Sequence, residues 1–146
     1  MIIKLENEKE RTELEVLIRY NEKLHRVKKL EEMLRSVDCK IPCNKEKKEI
    51  WVAGADIYYI ESVDKHSFVY CEDEVYETEL RLYQLEEELL AAGFVRISKS
   101  CLVNILVLQS IKPLLNSRLE ATLINGEKLT VTRKYIHVIR TALEES

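Results

Sequence analysis

Three short stretches hold the residues best suited to chemistry, and in each the chemistry is anion recognition rather than bond making. In Arg96-Ile97-Ser98-Lys99-Ser100-Cys101 a lysine stands between two serines. Small hydroxyl side chains and exposed backbone amides can approach phosphate oxygens, and Lys99 adds charge. In Val131-Thr132-Arg133-Lys134-Tyr135 a hydroxyl again precedes basic residues. A helix opening there would turn free amides toward an anion. Arg133 carries a forked donor set that can hold a phosphate or chelate a guanine edge. In Val63-Asp64-Lys65-His66-Ser67 a turn carries Lys65 and His66. Each stretch alone is also compatible with an ordinary polar turn or a capped helix, so the weight lies in their combination.

Catalytic chemistry finds little support. His25, His66 and His137 are far apart, and no H-E-x-x-H, G-x-S-x-G or Walker pattern occurs. Three glycines leave no room for a glycine-rich phosphate loop. Glu72 and Asp73 sit in a turn-like stretch where solvation explains them. The four cysteines, Cys39, Cys43, Cys71 and Cys101, form no C-x-x-C pair and no Cys/His zinc pattern. Cys39 and Cys43 could supply two metal ligands but lack a second pair. The expectation is a non-catalytic protein with no metal site and no cofactor.

The elements that must position these stretches follow from periodicity. Ile2–Leu5 and the branched run Leu14–Tyr20 read as strands. Asn21 can cap a helix over residues 22–36, where Leu24, Val27, Leu30 and Leu34 recur at helical spacing. The polar segment 38–49, with Pro42, reads as a linker. Beyond it the period becomes two. Ile50–Ala53, Ile57–Val63, Ser67–Glu72, Glu74–Glu79 and Phe94–Ile97 suit strands, with Arg81–Ala92 a helix between the last two and Gly93 its cap. Leu108–Leu115 contains Pro113, which points to an edge or a bend. Asn125-Gly126 is a hairpin signal joining Leu119–Ile124 to Lys128–Val131. Thr132 can cap a last helix that presents Ile136, Ile139 and Leu143 on one face. The fold class is mainly β, α+β overall. Stacked antiparallel sheets with short helices follow a small strand-and-helix segment. Residues 1–47 form that segment and its linker, a dimerisation or regulatory element, and residues 48–146 form the main domain. Short strands at regular spacing argue against a parallel nucleotide-binding sheet.

The net charge of −3 hides a segregation. Residues 1–95 carry 15 Lys/Arg against 22 Asp/Glu, whereas residues 96–140 carry 8 against 2. A surface that meets phosphates needs local positive charge, not a basic protein. Charged residues make up 34% of the chain, and no run of about 18 apolar residues exists. The N-terminus lacks the basic-then-apolar order of a secretory signal. A cytoplasmic location is expected.

In order and spacing, the stretches resemble the LytTR family of DNA-binding domains over roughly residues 48–146. The resemblance rests on Asp56-Ile57-Tyr58-Tyr59-Ile60-Glu61-Ser62, then a helix with Leu85-Glu86-Glu87-Glu88-Leu89. It continues with Phe94-x-Arg96-Ile97-Ser98-Lys99-Ser100 and Val103-Asn104, then Asn125-Gly126-x-x-Leu129-x-Val131-Thr132-Arg133-x-Tyr135. Thr132 stands where serine is commoner and keeps the hydroxyl. Ser98 stands where many members carry histidine, which removes an imidazole from that position.

The resemblance implies stacked antiparallel strands whose loops, rather than a recognition helix, enter successive major grooves of a direct-repeat site. It implies a bacterial transcription regulator acting on double-stranded DNA. Many such domains are outputs of response regulators. The roughly 48 preceding residues are too few for a receiver domain, so the chain resembles the small stand-alone members, some of them controlled by a membrane protein. The residues expected to face DNA are Lys65, His66, Lys99 and Arg133, supported by Ser98, Ser100 and Lys134. Arg96 is a weaker candidate, lying in a strand where an internal carboxylate can hold it. Asn104 is expected to satisfy backbone groups near the loop, and Tyr58, Tyr59, Phe94 and Leu102 to be core or sheet residues. A homodimer, at least on DNA, suits a direct repeat. The rival reading is a protein-interaction module that works through the acidic N-terminal half. The two part on whether Lys65, Lys99 and Arg133 share a face.

Overall fold

A computed structural model of the chain describes residues 1–22 and 25–145. Leu24, the first member of the expected helical stripe, lies outside the described residues. Helix α1 (His25–Asp38) leads into the hairpin β1 (Lys40–Lys45) and β2 (Lys48–Ala53). After a 3-10 turn at Gly54–Asp56 come β3 (Ile57–Val63), β4 (His66–Cys71) and β5 (Val75–Thr78). Helix α2 (Leu82–Leu89) tightens into a 3-10 turn and stops at Gly93, whose φ of +90° is the left-handed cap that glycine adopts without strain. Strands β6 (Phe94–Ser98), β7 (Cys101–Asn104), β8 (Leu108–Leu114), β9 (Arg118–Leu123) and β10 (Lys128–Val131) precede a 3-10 turn, Arg133–Tyr135, and helix α3 (Ile136–Glu145).

The strands form two antiparallel sheets. One has seven strands in the order β2-β1-β5-β4-β3-β7-β6, and the other three in the order β10-β9-β8. Strand β3 is buried on both sides because the larger sheet is covered on both faces. On one face Ile57, Ile60 and Leu102 pack with Leu82, Leu85 and Leu89 of α2. On the other, Tyr59, Ile97 and Val103 pack with Leu119, Ala121 and Leu123 of β9 and with Ile139 of α3. Tyr58, Tyr59, Phe94 and Leu102 all lie in these cores. The mainly β architecture matches the reading from periodicity.

Several expectations change. Neither Ile2–Leu5 nor Leu14–Tyr20 forms a strand. Their branched composition favours extended backbone, but a strand exists only with a ladder partner, and no described strand pairs with either. The segment 38–49, expected to be a linker, contains all of β1 and opens β2. Pro42 and four lysines obscured a period of two in which Ile41 and Cys43 point inward. Proline is tolerated inside this sheet because β1 touches β5 at a single pair, Asn44 with Glu77. There the Thr78 hydroxyl donates to the Pro42 carbonyl at 2.8 Å. Pro113 lies on β8, an edge of the small sheet, as a missing amide donor requires.

Candidate nucleic-acid interface

Strand direction decides where the three stretches lie. Strand β3 runs antiparallel to β7, with Glu61 opposite Cys101. The turn that ends β3 and the turn that starts β7 therefore emerge from the same end of the sheet. A backbone bond from Ser62 N–H to the Ser100 carbonyl, 2.8 Å, joins them. The third stretch is tied to the same place. Thr132 N–H donates to the Ile97 carbonyl at 2.9 Å, and its hydroxyl donates to that oxygen at 3.4 Å. Contrary to the expectation from sequence, Thr132 does not cap the last helix with its side chain; its hydroxyl clips the start of that helix to the end of β6. Lys65, Lys99 and Arg133 are all exposed at this end, and among the described residues none forms an ion pair.

The turn around Lys99 is built from within. Ser100 N–H donates to Ser98 Oγ at 3.2 Å, and the two hydroxyls lie 3.5 Å apart. Ser98 is half-buried and Ser100 exposed. Arg96 sits beneath, its side chain 16% exposed. One guanidinium nitrogen donates to the Lys99 carbonyl at 2.6 Å, and the other meets Glu86 of α2 at 3.3 Å. The carboxylate partner expected for Arg96 is present, and Arg96 anchors the turn from inside rather than extending from it.

The turn at Asp64–Lys65 holds both residues at positive φ, +49° and +70°, the type I′ geometry of a two-residue hairpin. A lysine there carries left-handed strain of about 1 kcal/mol. Lys65→Gly is therefore expected to raise stability by roughly that amount while removing one cation. Thermal unfolding beside a DNA titration would show the two properties moving in opposite directions; a fall in both would remove the strain argument. His66 is less available than its sequence suggests, because its Nδ1 lies 3.0 Å from Glu77 of β5. Lys134 is exposed, with its ammonium 5.5 Å from the centre of the Tyr135 ring.

Two features of this end were missed. Arg118 was not singled out, yet the β9–β10 register, Leu119 opposite Val131, carries it to the level of Thr132, and it is exposed. Periodicity could not have found it, because alternation reports a strand's faces but not which end meets a neighbour. The anchoring of Lys99 by Arg96 was equally hidden. The acidic Glu72-Asp73-Glu74 turn lies at the opposite end, between β4 and β5. The acidic turn thus lies at the far end of the strands from Lys65, Lys99 and Arg133. Such polarity orients a protein as it approaches a polyanion.

Burial pushes the Cys101 thiol up to about 12, helped by Glu61 and opposed by Arg96. It stays protonated at neutral pH and is a poor nucleophile. Burial likewise pushes Cys43 and Cys71 up to about 11. Alkylation of Cys101 at pH 8 should be far slower than that of a free thiol; a rate equal to the unfolded chain's would contradict this burial. Tyr59 is raised by burial and by its bond to Glu127, a contact that fastens the small sheet to the large one. Asn104, buried at the far end of β7, donates to the Ile57 carbonyl at 2.9 Å and accepts from Leu106 N–H at 3.0 Å. It satisfies backbone groups, as expected, but at the end of β7 away from the Lys99 turn rather than near it. Among the described residues no group of three or more His, Cys, Asp or Glu side chains is placed to hold a metal ion. No described helix is long and apolar enough to cross a membrane.

Comparison with known proteins agrees with this geometry. The LytTr DNA-binding domain family matches residues 47–144. The sensory transduction protein LytT of Enterococcus faecalis (strain ATCC 700802 / V583) is 29% identical over 103 residues, which cover 70% of this chain and 43% of that protein. The chain thus spans less than half of that relative. A solved LytTr DNA-binding domain from Bacillus cereus superposes with a TM-score of 0.67 at 25% identity, covering 72% of this chain and 96% of that one. Motif order, two-sheet fold and family match converge, and the chain belongs to the LytTr family of DNA-binding domains.

Proposed function

We propose that the chain is a sequence-specific transcription regulator that reads double-stranded DNA with the three turns at one end of its large sheet. The observation that carries this reading is the convergence of Lys65, Lys99 and Arg133, drawn from three separate hairpin or helix starts and free of carboxylate partners among the described residues. In this reading Lys65, Lys99 and Lys134 neutralise phosphates, and Arg133 reads a base edge in a major groove. Ser98 and Ser100 shape the turn that presents Lys99. His66 contributes from beside Glu77. A direct repeat engages two copies in tandem, each placing its turns in successive grooves, and the work is done in the cytoplasm, where the DNA lies. No enzymatic step is assigned.

The test is a titration of the purified chain against its own promoter region and against scrambled DNA of equal length, over a range of salt. Specific binding should exceed non-specific binding by at least about a thousandfold. The logarithm of affinity should fall linearly with the logarithm of salt concentration. Equal affinity for both DNAs would reduce the reading to non-specific binding. No binding to either at low salt would remove it and favour the protein-interaction alternative.

A further inference from the structure

The N-terminal residues leave a large apolar surface uncovered. Leu14 is 95% exposed, Leu17 67%, Val16 55% and Tyr20 53%. These side chains belong to Glu13-Leu14-Glu15-Val16-Leu17-Ile18-Arg19-Tyr20, a run with strand alternation but no strand partner. Leu14, Val16, Ile18 and Tyr20 share one face of an extended chain, and Glu13, Glu15, Leu17 and Arg19 share the other. The neighbouring helix α1 is also incompletely covered. Met33, Leu34 and Val37 are exposed on it, Val37 at 63%.

We propose that residues 13–21 pair antiparallel with the same residues of a second copy, in a register centred on Leu17. The sequence is self-complementary about that point. Leu17 meets Leu17 on the two-fold axis, and Val16 faces the partner's Ile18. Glu15 then faces the partner's Arg19, and Leu14 faces the partner's Tyr20. One face becomes a continuous apolar strip and the other gains an opposite-charge pair on each side of the axis. Moving the centre to Ile18 sets Arg19 against the partner's Leu17 and loses the charge pair. A register centred between residues would put inward and outward side chains opposite each other.

A two-stranded ribbon is marginal alone in water. Here the apolar strip has a cover available, since Met33, Leu34 and Val37 of the two α1 helices lie close in sequence and are likewise exposed. In the single chain Glu15 already pairs with Arg11 at 2.6 Å. Pairing exchanges one exposed ion pair for another. A register centred on Val16 also keeps a charge pair, Glu13 with the partner's Arg19, but sets Glu15 against Leu17 and Tyr20 against Thr12. Apolar matching therefore selects the Leu17 register and supplies affinity. The interface is a closed, two-fold contact of this chain with itself. It is independent of the DNA-facing end, because none of Lys65, Lys99 or Arg133 takes part.

Charge reversal tests the register on the full-length chain by sedimentation equilibrium. Wild type should be dimeric at tens of micromolar. Glu15→Arg and Arg19→Glu should each raise the dimer dissociation constant by roughly tenfold, since like charges then face across the axis. An equimolar mixture of the two variants should recover wild-type affinity, because both facing pairs are again opposite in sign. Leu17→Cys should form a disulfide with its own copy on mild oxidation, read against the wild-type chain, whose cysteines are all raised in pKa. A wild-type chain that stays monomeric, a mixture no tighter than either variant, or a dimer without the Leu17→Cys cross-link would each overturn the proposal. In the last two cases the arm adds to another surface, such as the open edge of β2. A monomeric Arg19→Glu chain that still binds one half-site leaves the DNA reading intact.

Discussion

Arg133→Ala is expected to lower affinity for the cognate site by about 1–3 kcal/mol, a loss of roughly five- to 150-fold, and to relax preference at one base pair. Lys99→Ala is expected to behave differently. It should weaken cognate and scrambled DNA alike and reduce the salt slope by about one unit. The contrast follows from side-chain chemistry. A guanidinium presents two parallel donors that fit the two acceptors of a guanine edge, whereas an ammonium on a flexible stem is a point charge that any phosphate satisfies. Both side chains are exposed and unpaired among the described residues, so neither replacement should disturb the fold. Binding curves on cognate and scrambled DNA at several salt concentrations separate the two roles. If the variants lost affinity in the same sequence-independent way, Arg133 would be a phosphate contact and the base reading would have to move elsewhere.

Arg96→Met should produce the largest stability change among the residues near this surface. Methionine keeps most of the buried stem volume but removes the donors that reach the Lys99 carbonyl at 2.6 Å and Glu86 at 3.3 Å. Hydrogen bonds involving a charged partner contribute about 1.5–3 kcal/mol, and a loss in that range is expected. The Arg96 Nε is already buried without a partner, which subtracts from what the residue contributes and sets the expectation toward the lower end. Glu86 is 40% exposed and can rehydrate, so Glu86→Gln should cost less than about 1 kcal/mol. DNA affinity of folded Arg96→Met should also fall, because the turn carrying Lys99 loses its inner support. Chemical denaturation together with binding at a temperature where the variant is folded would separate these effects. Unchanged stability would show that Arg96 is tethered without consequence.

Much of the architecture was legible in the sequence. The branched and aromatic run opening Ile57–Val63 located β3 to the residue. Leu82, Leu85 and Leu89 marked α2, and Gly93 marked its end. These signals are strong because each strand or helix face meets a core, and burial imposes its period on the residue types. The two clear failures have a common cause. Leu14–Tyr20 has the composition of a strand without a partner in its own chain, and residues 38–49 have the composition of a linker yet find two partners. Pairing is a property of two segments, so one segment's composition cannot report it.

The sequence by itself determined the kinds of residue available to meet an anion and the short turns that would carry them. Lys65, Lys99 and Arg133 could be named because hydroxyl and basic residues stand beside turn signals. Only the tertiary structure decided that these turns share one end of a sheet. Antiparallel pairing of β3 with β7 and the Thr132–Ile97 bond bring together residues up to 68 positions apart, and no local pattern encodes that distance. It also decided what each side chain can reach: Arg96 turned inward to Glu86, His66 set beside Glu77, Arg118 carried to the level of Thr132. Charge and shape are written residue by residue, whereas proximity is created when distant strands close a common ladder, and the interface depends on proximity.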